Sequence, residues 1–311
     1  MWREELRYIA KRLGAMVFML LLVTFVVFVA LENTPGDPAE LILGQNASAE
    51  AIENVRNDLG LNDPLITQYV RFLGDMVTGD LGESFRNKIP VADEIVRTGK
   101  VSAVLASSGL AIAVIIGVGV GIVSASRPNS WIDNVLRITV LAGVSVPVFW
   151  MGLMLISLVS VKLGWLPSFG WGTPKQVVLP ALTLATFPLA VIARMTRSSM
   201  LEALGSDHIR TLRANGVPER VIIMKYAFKQ ALAPIATVIG LQFGALIAGA
   251  ILTETVFGIP GIGRLTVQSI VGRDYPFVRA AVVFTTIAYV SVNLIVDLAY
   301  RWIDPRQRRA A

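Results

Sequence analysis

Long runs of residues that carry no charge constrain this chain more than any other feature. An α-helix crosses the hydrocarbon core of a bilayer with roughly 20 apolar residues. Six runs approach or exceed that length, at residues 13–31, 101–126, 138–161, 176–193, 230–253 and 280–296. The chain is 54% hydrophobic and only 16% charged, which is too apolar for an ordinary soluble domain. The sequence therefore predicts an all-α polytopic membrane protein with six transmembrane helices.

The charged residues predict the orientation of these spans. Arg3, Arg7, Lys11 and Arg12 precede the first run, whereas residues 32–100 contain twelve acidic and six basic residues. Because Lys and Arg accumulate on the cytoplasmic side of membrane proteins, both termini are predicted to be cytoplasmic and residues 32–100 external. A cleaved signal peptide is the alternative for the first run, but its apolar core is normally only about 7–15 residues long. We therefore expect an uncleaved first span in the cytoplasmic membrane.

Residue content excludes several function classes. The net charge of +6 lies at the ends of apolar runs, so it indicates contact with membrane lipid rather than with nucleic acid. The chain has no cysteine and a single histidine, His208, which excludes a thiolate metal site and a histidine cluster. Gly117 and Gly121 are not part of a strand–Gly–Lys–Ser/Thr pattern, so they predict close helix packing instead of nucleotide binding. We expect no catalytic, metal-binding or cofactor-binding residue in this chain.

Residues 32–100 are the one long hydrophilic stretch, and their pattern is helical. Ser48 fits an N-cap, because its hydroxyl can accept a hydrogen bond from the first turn of a helix that Gly60 ends. A second amphipathic helix is expected from Pro64 to Gly79. The predicted organisation is an N-terminal lead and first span over 1–31, a helical external cap over 32–100, and a five-helix core over 101–311 with a cytoplasmic loop at 199–232.

A polar, basic segment at 202–234 separates the fourth and fifth runs and carries the signals of a helix-turn-helix. Ser206 or Asp207 can cap a helix of about two turns. Gly216 fits the left-handed position that ends such a helix, and Pro218 suits the start of the next one. A disordered linker needs no such signals. This loop is therefore predicted to hold an ordered helix that lies across the end of the bundle.

This segment resembles a motif of one transporter family. Residues 207–217 read D-H-I-R-T-L-R-A-N-G-V, which is similar to the EAA loop, approximately D-Y-V-R-T-A-R-A-K-G-L, in permease subunits of ABC importers of the dipeptide/oligopeptide/nickel group. The general EAA pattern has Glu six residues before its Gly, whereas this chain has Arg210 there, so we expect no carboxylate contact at that position. Similar pieces follow the family order along nearly the whole chain, at 34–38 (T-P-G-D-P), 59–64 (L-G-L-N-D-P), 79–84 (G-D-L-G-E-S), 254–263 (E-T-V-F-G-I-P-G-I-G), 273–276 (R-D-Y-P) and 304–306 (D-P-R).

The resemblance implies partners and a role. Such permeases act with a second homologous permease, two cytoplasmic ATPase subunits that bind ATP and Mg²⁺, and an external solute-binding protein. The chain would then form a translocation path for di- or oligopeptides or similar small solutes, and it would not itself be an enzyme. Its short helix would dock on an ATPase subunit, with Ile209 and Leu212 offering apolar packing. The expected coupling residues are Ser206, Asp207, Ile209, Arg210, Thr211, Leu212, Arg213, Ala214 and Gly216. Simple anchoring on the cytoplasmic side is the alternative for each arginine.

Two further sets of residues are candidates for function. A carboxylate or a helix break near hydrocarbon is costly and so suggests a pathway or a structural pair. The candidates for the path or its gate are Glu254, Gln242, Pro147 and Phe149. A helix-end hydrogen bond is an alternative for Glu254, which borders an outer loop. The candidates for docking of the solute-binding protein, by resemblance, are Asp63, Asp80 and Glu83; a helical lid without a contact role is the alternative.

Two other functions remain open at this stage. A secondary transporter would carry coupling ions on intramembrane acids or broken half-helices, often in repeated halves. The sequence contains few buried charges and no convincing internal repeat. A membrane scaffold would need neither a large external cap nor a coupling loop. The resemblance favours the importer over both, with dipeptides, longer peptides, glutathione, nickel chelates and opines open as solutes.

Overall fold

Helices make up almost all of the fold. The computed structural model describes residues 2–33, 37–44 and 47–303, so motif residues 34–36 and 304–306 lie outside the described residues. Two short segments are π-helical, Ile156–Lys162 and Ile222–Ala227. Within the described ranges the only β structure is an isolated bridge between Glu83 and Pro90, and the predicted all-α class is confirmed. The helices are α1 (Trp2–Glu32), α2 (Pro38–Leu43), α3 (Ala49–Asp58), α4 (Leu65–Thr78), α5 (Val91–Ser126), α6 (Trp131–Ser145), α7 (Val148–Leu155), α8 (Pro174–Leu204), α9 (Asp207–Ala214), α10 (Glu219–Val221), α11 (Phe228–Gly249), α12 (Ile251–Phe257), α13 (Ile262–Val271) and α14 (Tyr275–Ile303).

The apolar runs become the membrane-spanning helices. In the part of the chain that the structure describes, five helices are long and apolar enough to cross a bilayer: Ala10–Glu32, Val91–Ser126, Pro174–Leu204, Glu219–Ile247 and Tyr275–Val296. The remaining run is divided into two helical pieces that meet at 102°, and it makes a sixth span if the two pieces form one crossing.

Pro147 accounts for the division. A proline has no N–H to continue a helix, and it pushes the preceding residue out of the helical region. Val146 is accordingly extended, with φ −88° and ψ 126°, and α7 begins directly after Pro147. The structure therefore contains a full break in the helix at Pro147, one of the candidates for the path or its gate.

The chain folds into two compact units, residues 1–102 with 260–288 and residues 103–259 with 289–311. In the first unit, α4 packs on α1 through aromatic side chains. The Tyr69 ring lies 5.2 Å from that of Phe25 and 5.5 Å from that of Phe28, and the Tyr69 hydroxyl is 2.9 Å from the hydroxyl of Thr24.

The hydrophilic stretch of this unit has the predicted helix signals. Ser48 accepts a hydrogen bond from the Ala51 N–H at 3.2 Å and so caps α3. Gly60 and Gly79 take left-handed conformations, with φ +64° and +81°, directly after the two helices. These local predictions are confirmed.

The helix ends of the spans differ from the edges of the apolar runs. The second run begins at residue 101, but α5 begins at Val91. Asp93 and Glu94 lie in its first turn, where negative charge is favourable, and Glu94 pairs with Arg97 at 2.5 Å. The polar first turns therefore belong to the same helix as the apolar run, which hydropathy alone does not show.

In the second unit, α5 and α8 approach closely. A Cβ on Gly117 would lie 2.9 Å from the carbonyl oxygen of Leu189, and one on Gly121 would lie 2.7 Å from that of Ala193. Both distances are too short for a side chain, so only glycine permits this packing. The predicted role of the two glycines in helix packing is confirmed.

Candidate functional site

The short helix predicted between the fourth and fifth spans is present as α9. It ends in a Schellman motif, in which the N–H of Gly216 donates to the carbonyl oxygen of Arg213 at 3.0 Å and the N–H of Val217 donates to that of Leu212 at 3.1 Å. Gly216 has φ +77°, the left-handed conformation that the sequence predicts. The stop signal is confirmed.

One face of α9 holds it against the rest of the chain. Ile209 is fully buried, and the rings of His208 and Tyr226 meet edge to face with centroids 6.0 Å apart. Tyr226 belongs to the π-helical segment Ile222–Ala227, on which α9 packs. Behind that segment lies a buried apolar cluster made of Ala125, Met200, Ala203, Ala227, Ala231 and Ile235.

Arg213 joins the two helices on either side of the turn. Its guanidinium donates two hydrogen bonds to the carboxylate of Glu219, at 2.7 and 3.1 Å, and a longer one to the carbonyl oxygen of Leu204 at 3.4 Å. The hydrogen bond with Glu219 raises the pKa of Arg213 above its ordinary value. Arg213 therefore stiffens the turn, in addition to any contact that it makes with a partner.

The opposite face of α9 is open to solvent. Asp207 and Arg210 expose 97% and 78% of their side chains and form a loose pair at 3.5 Å. Thr211 and Ala214 are also exposed, and Leu212 is half-buried. These residues together present a polar surface with one small apolar patch.

Two expectations for this segment differ from the structure. The sequence analysis assigned Ile209 to apolar packing on a partner, but its side chain is fully buried inside the chain. Ser206 occupies the N-cap position without a side-chain cap, because its hydroxyl donates to the carbonyl oxygen of Ala203 at 2.8 Å. Both residues therefore fix α9 to α8 and its surroundings. Whether the segment binds an ATPase stays a prediction.

Sequence analysis missed an ion cluster that ties α8 to α6. Asp133 is fully buried and accepts two hydrogen bonds from Arg197, at 2.8 and 2.7 Å. The hydroxyl of Ser124 donates to the same carboxylate, and the N–H of Asn129 does so at 2.9 Å. The signal in the sequence is an acid at the start of one span and an arginine near the end of another, but 64 residues separate them. The cluster holds the C-terminal end of α8 against α6, and α9 follows shortly after that end.

The candidate path residues lie on elements that partly meet. Pro147 and Phe149 lie at the start of α7, and α7 packs on α12, which carries Glu254. Gly152 of α7 lies at this contact, and a Cβ there would lie 3.1 Å from the Phe257 ring. Glu254 is fully buried in the first turn of α12.

The remaining path candidate lies on a different helix. Gln242 is half-buried on α11. Within the described residues no group of three acidic or histidine side chains is placed to hold a metal ion. The role of the four residues in a path stays a prediction.

The candidate docking residues make local contacts. Asp63 pairs with Arg71 at 2.6 Å, and Asp80 accepts a hydrogen bond from the N–H of Gly82 at 3.0 Å. Glu83 is exposed and forms the isolated bridge with Pro90. The role of these three residues in docking stays a prediction.

Two of the quoted motifs meet in space. Ser84, the last residue of the G-D-L-G-E-S piece, donates a 2.5 Å hydrogen bond to Asp274 of the R-D-Y-P piece, and the N–H of Phe85 donates to the other oxygen of Asp274 at 3.0 Å. Both Ser84 and Asp274 are buried. The two pieces, 190 residues apart in sequence, therefore form one structural element, which we call the motif clamp.

Comparison with known proteins agrees with the architecture. The family model "Binding-protein-dependent transport system inner membrane component" matches residues 117–309, and the N-terminal model of the same kind of membrane component matches residues 5–106. The chain is 42% identical to the dipeptide transport system permease protein DppB of Alkalihalophilus pseudofirmus and 43% identical to the glutathione transport system permease protein GsiC of Pectobacterium atrosepticum. Each alignment covers 97% of this chain and 99% of the relative.

Among solved structures, the chain resembles one from the MetNI methionine ABC transporter in an inward-facing conformation. The TM-score is 0.59 at 21% identity, over 68% of this chain and 96% of the other. This likeness concerns the fold of the spans. From the family matches and the two relatives that align over nearly their full length, the chain belongs to the family of binding-protein-dependent transport system inner membrane components.

Proposed function

We propose that this chain is the permease subunit of an ABC importer and forms part of a path for short peptides across the cytoplasmic membrane. The sequence identity to two relatives carries this proposal. The chain is 42% and 43% identical, over almost its full length, to permeases of a dipeptide and a glutathione transport system. Dipeptides and glutathione are both short peptides with free carboxylates. We therefore assign di- and oligopeptides as the solute class.

The coupling part of the proposal rests on α9. Its exposed side carries Asp207, Arg210 and Thr211, while its buried side is fixed through Ile209. A helix that is anchored on one face and bare on the other can be pushed by a partner without losing its own fold. In this proposal one of two ATPase subunits binds the exposed face and supplies the energy of ATP hydrolysis.

Movement of α9 would pass to the spans through rigid contacts. Asp133 and Arg197 hold α8 to α6, and α6 ends at the break before Pro147. A break of this kind lets one helical piece turn against the other, which a continuous helix does not. We propose that α7 moves at this break between outward-open and inward-open states.

The other partners follow the family arrangement. A second homologous permease would complete the path, and a solute-binding protein would deliver peptide to the side that carries residues 37–90. The cap residues Asp63, Asp80 and Glu83 remain candidates for that docking. ATP and Mg²⁺ would be bound by the ATPase partners.

Peptide uptake in a strain that lacks this chain tests the proposal. Deletion should abolish uptake of a labelled dipeptide, and the intact gene should restore it. Reconstituted with its partners in liposomes, the complex should take up the peptide only when ATP and the solute-binding protein are both present.

Two outcomes would overturn the assignment. Uptake driven by a proton gradient without the ATPase subunits would indicate a secondary transporter. Normal uptake of every peptide tested after deletion, with the membrane complex still assembled, would indicate a scaffold.

A further inference from the structure

Three helices of the second unit border an open cavity with an unusual lining. It has a volume of about 550 Å³ and lies between α5, α6 and α8. Three arginines line it, Arg137, Arg194 and Arg197, and no carboxylate of the described residues does. Its size falls in the range of sites that hold a small organic molecule.

One of the three arginines is already neutralised. Arg197 binds Asp133 through two hydrogen bonds. Neither Arg137 nor Arg194 has a carboxylate of the described residues within ion-pair distance. The cavity therefore carries two positive charges that this part of the chain does not balance.

These charges lie where uncharged runs end. Arg137 directly precedes the run 138–161, and Arg194 directly follows the run 176–193. Arginines at the ends of spans extend to the membrane interface, where lipid headgroups lie. Trp131, three-quarters exposed at the start of α6, is typical of the interface between headgroups and hydrocarbon.

The remaining lining favours an amphiphile. Asn134, Arg137, Ile138 and Leu141 have the spacing of one helix face, so the arginine continues directly into an apolar strip. Ile138 and Leu141 are 68% and 63% exposed. A passage for charged peptides would need polar walls, whereas a lipid needs a cationic end beside an apolar wall.

We propose that this cavity binds the phosphate of an anionic phospholipid, with Arg137 and Arg194 as its ligands and the acyl chain along Ile138 and Leu141. Basic pockets between spans are a general mode of lipid headgroup recognition. A guanidinium group can donate two parallel hydrogen bonds to two oxygens of one phosphate. The proposal depends on the membrane location of the chain and is independent of the transported solute.

Native mass spectrometry of the complex, purified with its partner subunits, tests the site with dioleoylphosphatidylglycerol as the probe. The wild-type complex should bind this lipid more tightly than phosphatidylcholine, whose choline cation faces the arginines. The double variant Arg137→Gln/Arg194→Gln should weaken binding by roughly tenfold for each arginine removed. Arg127→Gln, which removes a nearby exposed charge outside the cavity, is the matched control and should bind like wild type.

The variant Arg137→Lys/Arg194→Lys keeps both positive charges but loses the planar guanidinium groups. Because the charge is retained, we expect this variant to fold like wild type. Its affinity for the phospholipid should lie between those of wild type and the double glutamine variant. Retained affinity in the glutamine pair, or an equal loss in Arg127→Gln, would overturn the proposal.

Competition separates the possible sources of the anion. Excess inorganic phosphate should leave the phospholipid bound; displacement would show a site for free phosphate. Excess dipeptide should also leave it bound. Displacement by dipeptide would place the cavity in the translocation path and would reject the lipid site.

Discussion

Gly216 holds a backbone conformation that favours glycine. Its φ of +77° is reached easily by glycine, and a Cβ added there would meet no atom within 4 Å. A substitution at this site is therefore opposed by the backbone conformation alone and meets no crowding. The cost of a left-handed conformation for an L-residue is roughly 1–2 kcal/mol, and a β-branched side chain is among the least tolerant.

We expect Gly216→Val to uncouple ATP hydrolysis from uptake while the protein still inserts and assembles. The turn after α9 would relax, and the exposed face of α9 would lose its fixed position. ATPase activity and peptide uptake in liposomes, measured on the same preparation, test this expectation.

Gly216→Asn is the matched control, because asparagine tolerates the left-handed region better than other residues. It should retain most of the uptake. Wild-type coupling in Gly216→Val would show that the left-handed stop is unimportant for function.

Among elements, the α5–α8 contact depends on which glycine faces the neighbouring helix. Gly121 has the carbonyl oxygen of Ala193 within 2.7 Å of its would-be Cβ, whereas Gly119, two residues earlier on the same helix, has nothing within 4 Å. The same substitution at Gly119 and Gly121 therefore changes the same residue type on the same helix at nearly the same depth, and differs only in the contact with α8.

Gly121→Ala should destabilise the subunit by about 1–3 kcal/mol, because the added methyl group overpacks a helix contact. Gly119→Ala should be neutral or stabilising by up to about 1 kcal/mol, as alanine is the better helix former. Thermal unfolding of the purified complex in detergent compares the two. Equal melting temperatures would contradict the packing described for Gly121.

The sequence predicted elements well where the signal is local. Apolar runs located the spans, and Gly60, Gly79 and Gly216 marked helix ends, because a left-handed residue acts within its own turn. It did not predict contacts made across long separations. Asp133 and Arg197 each looked like an ordinary charge at a helix end, and only the packing of α6 on α8 shows that they form one buried pair.

The same distinction explains the errors at the candidate site. The amphipathic pattern of α9 correctly gave a helix with one apolar side, but it could not tell whether that side faces the chain or a partner. The structure buries Ile209 within the chain. Likewise, a proline in an apolar run signals a disturbance, while the angle of 102° depends on how α7 packs on α8 and α12.

At the scale of the whole molecule, the topology can be read directly because the chain has no cysteine. Single cysteines at Asp207, which is 97% exposed, and at Val77 in α4, which is 81% exposed, report on the predicted cytoplasmic and external sides. In intact cells a membrane-impermeant thiol reagent should label Val77→Cys and leave Asp207→Cys unlabelled until the membrane is opened. The reverse pattern would invert the predicted orientation.

A second pair of cysteines tests the divided segment. Arg127 precedes α6, and Trp165 follows the π-helical segment after α7. If α6 and α7 together cross the bilayer, Arg127→Cys and Trp165→Cys should label from opposite sides, which gives six spans. Labelling from one side would show a re-entrant segment and five crossings.

The motif clamp bears on how such permeases can be recombined. Since Ser84 and Asp274 satisfy each other at a buried position, the 79–90 loop and the 273–276 turn behave as the two halves of a single part. A chimera that takes only one half from a relative with a different residue there leaves the buried Ser84 hydroxyl or the buried Asp274 carboxylate without its hydrogen-bond partner. Grafts between homologous permeases should therefore move both halves together, even though almost two hundred residues of unrelated sequence lie between them.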